Sequence, residues 1–164
     1  MKRDFSIYMT NADIAKVFDE IADLLEMKGE NQFKIHAYRQ AARTIKKLPG
    51  EVERMVRNGD SLQDIPGVGE AIAKKIDDLV KTGHVKVHDE LRAEFPQGIL
   101  DILALPGVGT KTTFRLYTEL GVKSVAELEQ AIKEGRVAGM QRMGEKAAQR
   151  ILKGIESGAS KHSC

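Results

Sequence analysis

A short turn segment that occurs twice, about forty residues apart, constrains this chain more than any other feature. The copies run from Ile65 to Gly69 and from Leu105 to Gly109, and each reads apolar-Pro-Gly-Val-Gly. Proline and glycine favour turns, and glycine lets the backbone approach another molecule closely. Self-similarity at such a distance indicates two copies of one supersecondary unit.

Both turns lie between two predicted helices. The short helix before each turn covers 51–58 and 97–104, and the helix after it covers 70–81 and 110–119. A weaker echo of the pattern, Met140 to Ala148, precedes a last helix but lacks the Pro-Gly pair. Each unit is therefore predicted to be a helix, a tight hairpin and a helix.

The residues before the first turn also have helical spacing. Apolar side chains three and four positions apart predict a helix from Asn11, its expected N-cap, and a second helix that begins near Asn31. No segment alternates apolar and polar residues long enough to predict a β-strand, so the expected fold class is all-α. The predicted parts are a helical domain over 10–95, a second helical domain over 96–157 and a flexible tail over 158–164.

Composition narrows the classes of protein that fit. Lys and Arg number 26 against 24 Asp and Glu, which gives a net charge of +2 and excludes a strongly basic tail or an acidic disordered segment. No apolar run approaches the roughly 20 residues of a membrane span, and the amino terminus lacks the apolar core of a signal peptide. We therefore expect a cytoplasmic protein without a membrane partner. The single cysteine, Cys164, excludes an intrachain disulfide.

The start of the helix after each hairpin is a candidate anion site. Unpaired amide N–H groups and the positive end of the helix dipole meet there, and a phosphate suits both. An ordinary turn between packed helices is the alternative interpretation, but two complete copies favour binding to a nucleic-acid backbone. The candidate residues are the hairpin positions Gly67, Val68, Gly69, Gly107, Val108 and Gly109, with Lys111 and Arg115 just after the second hairpin.

Charge is divided unevenly along the chain. Residues 105–164 carry ten Lys and Arg against six acids, whereas residues 61–104 carry five against eight. The second half is therefore the predicted surface for holding duplex DNA, and contacts of this kind read the backbone and its shape without reading bases.

The paired hairpins resemble the helix-hairpin-helix motifs of DNA repair proteins. From about residue 10 to 155, the chain resembles the amino-terminal region of family X DNA polymerases, especially bacterial and archaeal members. The most specific pieces are Ala37-Tyr38-Arg39, Ala41-Ala42 and the first hairpin with Ile72-Ala73 and Lys75-Ile76. The resemblance implies a lyase-like domain followed by a fingers-like domain, acting in DNA repair and in base excision repair. The palm carboxylates and the phosphoesterase domain of that family are not found in this sequence, so the chain alone is not expected to polymerise nucleotides.

The resemblance also implies a catalytic residue, Lys75. In the family's lyase chemistry, a lysine amine attacks the sugar aldehyde of a 5′-deoxyribose phosphate, and β-elimination of the Schiff base breaks the chain. Matching positions that would contact the 5′-phosphate are Lys34 and Tyr38, with further charge from Arg39 and Lys74. A surface lysine that pairs with a nearby carboxylate is the alternative interpretation of Lys75.

The implied partner is duplex DNA with a gap, a nick or a 5′-phosphate end. No cofactor is required, but such hairpins resemble ones that hold K⁺ or Na⁺ through backbone carbonyls. The matching carbonyls belong to Gln63, Ile65, Val68, Leu103, Leu105 and Val108. Two alternatives stay open: a module that docks a separate polymerase or repair enzyme, and a fragment of a longer family X DNA polymerase.

Overall fold

The structure, a computed structural model, describes residues 8–162 and the side chains of residues 8–158. Within that range it contains nine α-helices, one 3-10 turn and no strand, which confirms the predicted all-α class. The helices are α1 (Asn11–Lys28), α2 (Gln32–Lys47), α3 (Val52–Asn58), α4 (Glu70–Thr82), α5 (Lys86–Glu94), α6 (Gly98–Leu103), α7 (Gly109–Leu120), α8 (Val125–Lys133) and α9 (Gly144–His162), and the 3-10 turn is Leu62–Asp64.

The chain forms two compact units that divide between Leu91 and Arg92, within α5 and slightly before the predicted boundary. The predicted flexible tail begins at residue 158, but residues 158–162 continue α9. Each glycine inside a helix costs only about 1 kcal/mol, and no proline follows Gly154 or Gly158 to end α9. Residues 163 and 164 of the predicted tail lie outside the described residues.

The first unit is centred on the pairing of α1 with α2, where Phe18 and Tyr38 stack with ring centroids 5.9 Å apart. Helix α1 is capped by Thr10, one residue earlier than predicted: the Thr10 hydroxyl accepts the Asp13 N–H, and the Asp13 carboxylate accepts the Thr10 N–H. Asn11 is the first helical residue instead. Its side chain donates to the Gly50 carbonyl at 2.8 Å and accepts the Val52 N–H at 2.9 Å.

The second unit packs α6, α7, α8 and α9 together, and its fully buried side chains include Ile99, Ile102, Leu116 and Leu128. Helix α8 was not predicted, although Ser124 and Glu127 carry the Ser-x-x-Glu signal of a helix start. In the structure the Ser124 hydroxyl accepts the Glu127 N–H at 3.2 Å. None of the helices in residues 8–162 is long and apolar enough to cross a lipid bilayer.

Candidate nucleic-acid interface

The first hairpin has the backbone pattern of a type II turn. The Val68 N–H donates to the Ile65 carbonyl at 3.0 Å, and Gly67, in the third position of the turn, has a φ of +81°. A type II turn requires positive φ there, and glycine adopts that conformation without steric cost. Val68 is buried at 5% exposure and anchors the turn to the core of the unit.

The second hairpin repeats this geometry. The Val108 N–H donates to the Leu105 carbonyl at 3.3 Å, and Gly107 has a φ of +77°. The next glycines differ, because Gly109 also has a positive φ whereas Gly69 has extended backbone. The two Pro-Gly turns therefore share their hydrogen bond but enter the following helix differently.

The weak echo near residue 140 is a third hairpin of the same kind. The Met143 N–H donates to the Met140 carbonyl at 3.1 Å, and α9 begins at Gly144. Arg142 occupies the place of the hairpin glycine with a φ of +64°, and no other non-glycine residue in the described part of the chain has a positive φ. The missing Pro-Gly pair does not prevent the turn from forming.

The helices that follow the first two hairpins begin without a side-chain cap. Side chains of Thr10, Asn31 and Ser124 accept backbone N–H groups at the starts of α1, α2 and α8, but no side chain does so at the start of α4 or α7. Uncapped N–H groups at a helix start are free to donate to an anion, and the helix dipole favours negative charge there. These two helix starts have the donors expected of phosphate sites.

Helix α2 lies against the first hairpin. The Gln40 side chain approaches Gly67 so closely that a Cβ on this glycine would lie 3.4 Å from the Gln40 Cγ and Nε2 atoms. Residues three and four positions away on a helix share its face, so His36 and Arg43 flank Gln40 beside the hairpin. Both are exposed. Gln40 itself was not predicted as part of the site, because its contact joins residues far apart in sequence.

Helix α2 carries five Lys and Arg residues and no acid. Two of these cations are engaged by α1: Lys46 pairs with Asp19 at 3.1 Å, and Arg39 binds two carboxylates. The three others are exposed and have no ion pair with a described residue: Lys34, Arg43 and Lys47. The cations of α2 that remain available to a phosphate are therefore Lys34, Arg43 and Lys47. Arg39, a predicted phosphate contact, is not among them.

Arg39 was predicted to add charge at the phosphate site, but its guanidinium is already bound. Its Nη1 lies 2.9 Å from the Asp23 Oδ1 and its Nη2 lies 2.6 Å from the Glu26 Oε1. Burial raises the pKa of Asp23 above 3.8, although the hydrogen bond and charge of Arg39 lower it. We therefore leave Arg39 out of the proposed phosphate site, since a phosphate would have to displace two carboxylates.

Tyr38, another predicted phosphate contact, is 8% exposed and packs its ring on Phe18. Burial raises the pKa of its hydroxyl above 10.0. The hydroxyl makes no hydrogen bond to a described residue, and every buried side-chain oxygen or nitrogen in that part of the chain has a partner. The oxygen therefore reaches solvent at the end of a buried ring, and its role as a phosphate contact stays a prediction.

Lys75 lies on α4, six positions after Gly69, and is half-buried beside the apolar stripe that includes Ile72 and Ile76. Lys74 is exposed. At 1.5 Å of rise per residue, Lys75 lies about 7–8 Å along the helix axis from the start of α4 at Glu70. Neither lysine has an ion pair with a described residue, and the pairing of Lys75 with a nearby carboxylate, the alternative considered above, is not formed.

The two side chains predicted after the second hairpin differ in their availability. Lys111 is exposed in the first turn of α7 and has no ion pair among the described residues. Arg115 contacts Glu119 on the same helix, with Nε 2.9 Å from Oε2 and Nη2 3.4 Å from Oε1. Exposed pairs of this spacing contribute only about 0.3–0.5 kcal/mol, so Arg115 can exchange Glu119 for a phosphate at little cost.

The predicted ion-binding carbonyls are compatible with the turn. In the first hairpin the Ile65 carbonyl accepts the Val68 N–H and keeps its second lone pair, while the Gln63 and Val68 carbonyls take no part in the turn's backbone hydrogen bonds. In the second, the Leu105 carbonyl accepts the Val108 N–H in the same way. Among the described residues, no cluster of three or more His, Cys, Asp or Glu side chains is arranged to hold a metal ion.

Comparisons with known proteins agree with this architecture. A family described as "Helix-hairpin-helix domain" matches residues 9–85, and one described as "SAM-like Helix-hairpin-helix tandem" matches residues 99–157. The second match includes the third hairpin as well as the second.

Two curated polymerases are similar to most of the chain. The "DNA polymerase/3'-5' exonuclease PolX" of Bacillus subtilis is 31% identical over 147 residues, which cover 90% of this chain and 25% of that protein. The "DNA polymerase lambda" of Arabidopsis thaliana is 25% identical over 120 residues, 73% of this chain and 22% of that protein. The chain thus spans about a quarter of the length of these relatives. It carries two helix-hairpin-helix domains that together fit the amino-terminal part of a family X DNA polymerase.

Proposed function

We propose that this DNA-binding chain grips the phosphate backbone of gapped, nicked or 5′-phosphate-ended duplexes in DNA repair. The observation that carries the proposal is the uncapped start of α4 and of α7, each directly after a hairpin. Backbone N–H groups at such helix starts donate to phosphate oxygens, which are the same at every nucleotide, so binding is expected to be sequence-independent.

The first hairpin is the proposed 5′-phosphate site. The contact of Gln40 with Gly67 brings this hairpin next to α2, which exposes Lys34 and Arg43. Phe33, beside Lys34, is 86% exposed. An exposed aromatic ring next to a backbone-binding cation suits stacking on an unpaired base, and a gap supplies such a base.

The lyase reaction, with Lys75 as nucleophile, is the proposed activity of this site. The Nζ amine attacks the sugar C1′ aldehyde and loses water to form a Schiff base. Loss of a proton from C2′ then breaks the C3′–O bond, and the departing phosphate becomes the 5′-phosphate of the downstream strand. Hydrolysis of the Schiff base releases the unsaturated sugar phosphate and restores the lysine. The half-buried position of Lys75 and its lack of an ion pair with a described residue support this role.

Binding measurements test the first part of the proposal. Fluorescence anisotropy would compare intact, nicked and gapped duplexes, with and without a 5′-phosphate. If about four phosphates are engaged, log K should fall with log[salt] at a slope of roughly −3 to −4. Absent or salt-independent binding would refute the proposal, and equal affinity for all the duplexes would refute the preference for gaps and ends.

Borohydride trapping on DNA with a 5′-deoxyribose phosphate tests the lyase reaction. Lys75→Arg keeps the charge but cannot form a Schiff base, so it should lose trapping and retain DNA affinity. Lys81→Arg, which changes another lysine of α4 outside the site, should trap like the wild type. Trapping that persists in Lys75→Arg excludes Lys75 as the nucleophile, and a wild type that never traps excludes the reaction.

We also propose that K⁺ or Na⁺ bridges the hairpin carbonyls and a DNA phosphate. Replacing the alkali cation with tetramethylammonium, at constant ionic strength, should then weaken DNA binding. Unchanged affinity would contradict the ion site without affecting the helix-start donors. Docking of a separate polymerase stays a prediction for which this interface supplies no specific contact.

A further inference from the structure

An open groove of about 640 Å³ lies between the second hairpin and the third hairpin with its helix, α9. Four of the residues that line the groove belong to the second hairpin and α7. The others belong to α9 and the turn before it. Four of the lining side chains are cationic, and none is acidic: Arg115, Arg142, Arg150 and Lys153. We propose that this groove binds the phosphate backbone of one strand of duplex DNA, as a second contact beyond the helix starts.

The groove exists because α9 approaches the second hairpin closely. At Gly154, a Cβ would lie 3.6 Å from the Pro106 Cδ and 3.7 Å from its carbonyl oxygen, so a larger side chain would fill the space. Ala147, another small residue, lines the same wall. Small residues along this side of α9 therefore leave the groove open, and the longer side chains of Arg150 and Lys153 line it.

The cations of the groove are available to a ligand. Among the described residues, no carboxylate pairs with Arg142, Arg150 or Lys153, whereas many other surface cations of the chain have such partners. Arg115 pairs with one described carboxylate, that of the exposed Glu119. An unneutralised cluster of this kind attracts a polyanion.

The spacing of the charges favours an extended polyanion over a single phosphate. From the start of α9 to Lys153 the helix rises about 13 Å, and Arg142 lies beyond that start. One strand of B-DNA carries a charge about every 3.4 Å along its axis, so a strand following the groove can present phosphates to all four side chains. A free phosphate would reach only one or two of them.

The backbone of Arg142 is the second, independent observation. At φ +64° an arginine is conformationally strained, and the first two hairpins have glycine at this position. The turn itself therefore gains nothing from the arginine. Strained non-glycine residues cluster at ligand-binding sites, and the strained residue here, Arg142, is one that lines the groove.

The test uses the full chain, a fluorescein-labelled 20-base-pair duplex and salt titrations. Arg150→Gln and Lys153→Gln should each lower affinity about fivefold to tenfold at 0.1 M salt, and should make the log–log salt slope less negative by about 0.9. Lys133→Gln makes the same charge change on α8, outside the groove, and should alter neither quantity. The proposal would be overturned if Arg150→Gln and Lys153→Gln bound DNA as Lys133→Gln does, whether all three variants keep wild-type affinity or all three lose it equally.

Arg142→Gly separates binding from folding. Glycine relieves the positive φ, so the variant should melt no lower than the wild type, yet should lose affinity by the same fivefold to tenfold. Wild-type affinity in this variant would overturn the role of Arg142. The inference rests on the DNA binding proposed above: a wild type that fails to bind DNA defeats both proposals, whereas binding with an unchanged slope in the groove variants defeats only this one.

Discussion

Gln40 of α2 lies across Gly67 of the first hairpin, with its Cγ and Nε2 atoms 3.4 Å from the place where a Cβ would project from the glycine. This contact joins the most cationic helix of the first unit to a turn with uncapped donors. The position of α2 beside the hairpin therefore depends on the backbone conformation of the turn as well as on its residue types.

Gly67→Ala should lower the free energy of unfolding by about 1–2 kcal/mol, because alanine is strained at a φ of +81°. Gly69→Ala is the matched control in the same hairpin: Gly69 has extended backbone and open space around it, so the stability change should be small. Urea unfolding followed by circular dichroism measures both. Equal losses in the two variants would mean that the positive φ does not matter.

Lys34→Gln should weaken binding to a 5′-phosphate-ended duplex by roughly fivefold to tenfold at 0.1 M salt, because it removes an exposed cation that has no ion pair with a described residue. Lys46→Gln makes the same change on the same helix, but Lys46 is paired with Asp19 at 3.1 Å. Its effect on affinity should be smaller. Anisotropy titrations compare the two, and a larger loss in Lys46→Gln would contradict the assignment of the available face of α2.

Asp23 gives the first unit a pH dependence of defined sign. Burial raises its pKa in the folded chain above 3.8, so the folded state holds this proton more tightly than the unfolded state. Its contribution to stability therefore falls as pH rises from 3.8 through the folded pKa. Wild type should lose stability relative to Asp23→Asn over that window, measured by urea unfolding at a series of pH values. The opposite trend would mean that Arg39 outweighs the burial of the carboxylate.

Gly98→Ala should destabilise the second unit by about 1–3 kcal/mol. A Cβ at Gly98 would come under 3.0 Å from the backbone carbonyl oxygen of Lys123, and backbone cannot move aside as a flexible side chain can. Gly158→Ala, in open space on α9, should instead be neutral or stabilising, since alanine is the better helix former. Thermal unfolding distinguishes them, and similar melting temperatures would contradict the close approach.

Local signals predicted the hairpins well. Pro-Gly within apolar flanks favours a tight turn, so the turns at Gly67 and Gly107 could be predicted without knowledge of the tertiary fold. The third hairpin was predicted only weakly, because a positive φ at Arg142 has no signal in the sequence.

The side-chain environments of the site could not be read from the sequence. Spacing along α2 groups Lys34 with Tyr38, but it does not reveal that Tyr38 packs on Phe18 or that Arg39 meets two carboxylates of α1. These contacts depend on how α1 and α2 face each other. Helix periodicity predicts which residues share a face, and the partner helix decides which of them are available to DNA.

The side chain of Asn11 couples the stability of two helices of the first unit. Helix α3 has seven residues and no cap from its own preceding residue, so it is too short to persist alone. Its first N–H is satisfied instead by Asn11, a residue of α1 that lies 41 positions earlier. The start of the helix that leads into the first hairpin is thus stabilised by a side chain of α1. Amide hydrogen exchange at Val52 should therefore report the integrity of α1, although the two belong to different helices.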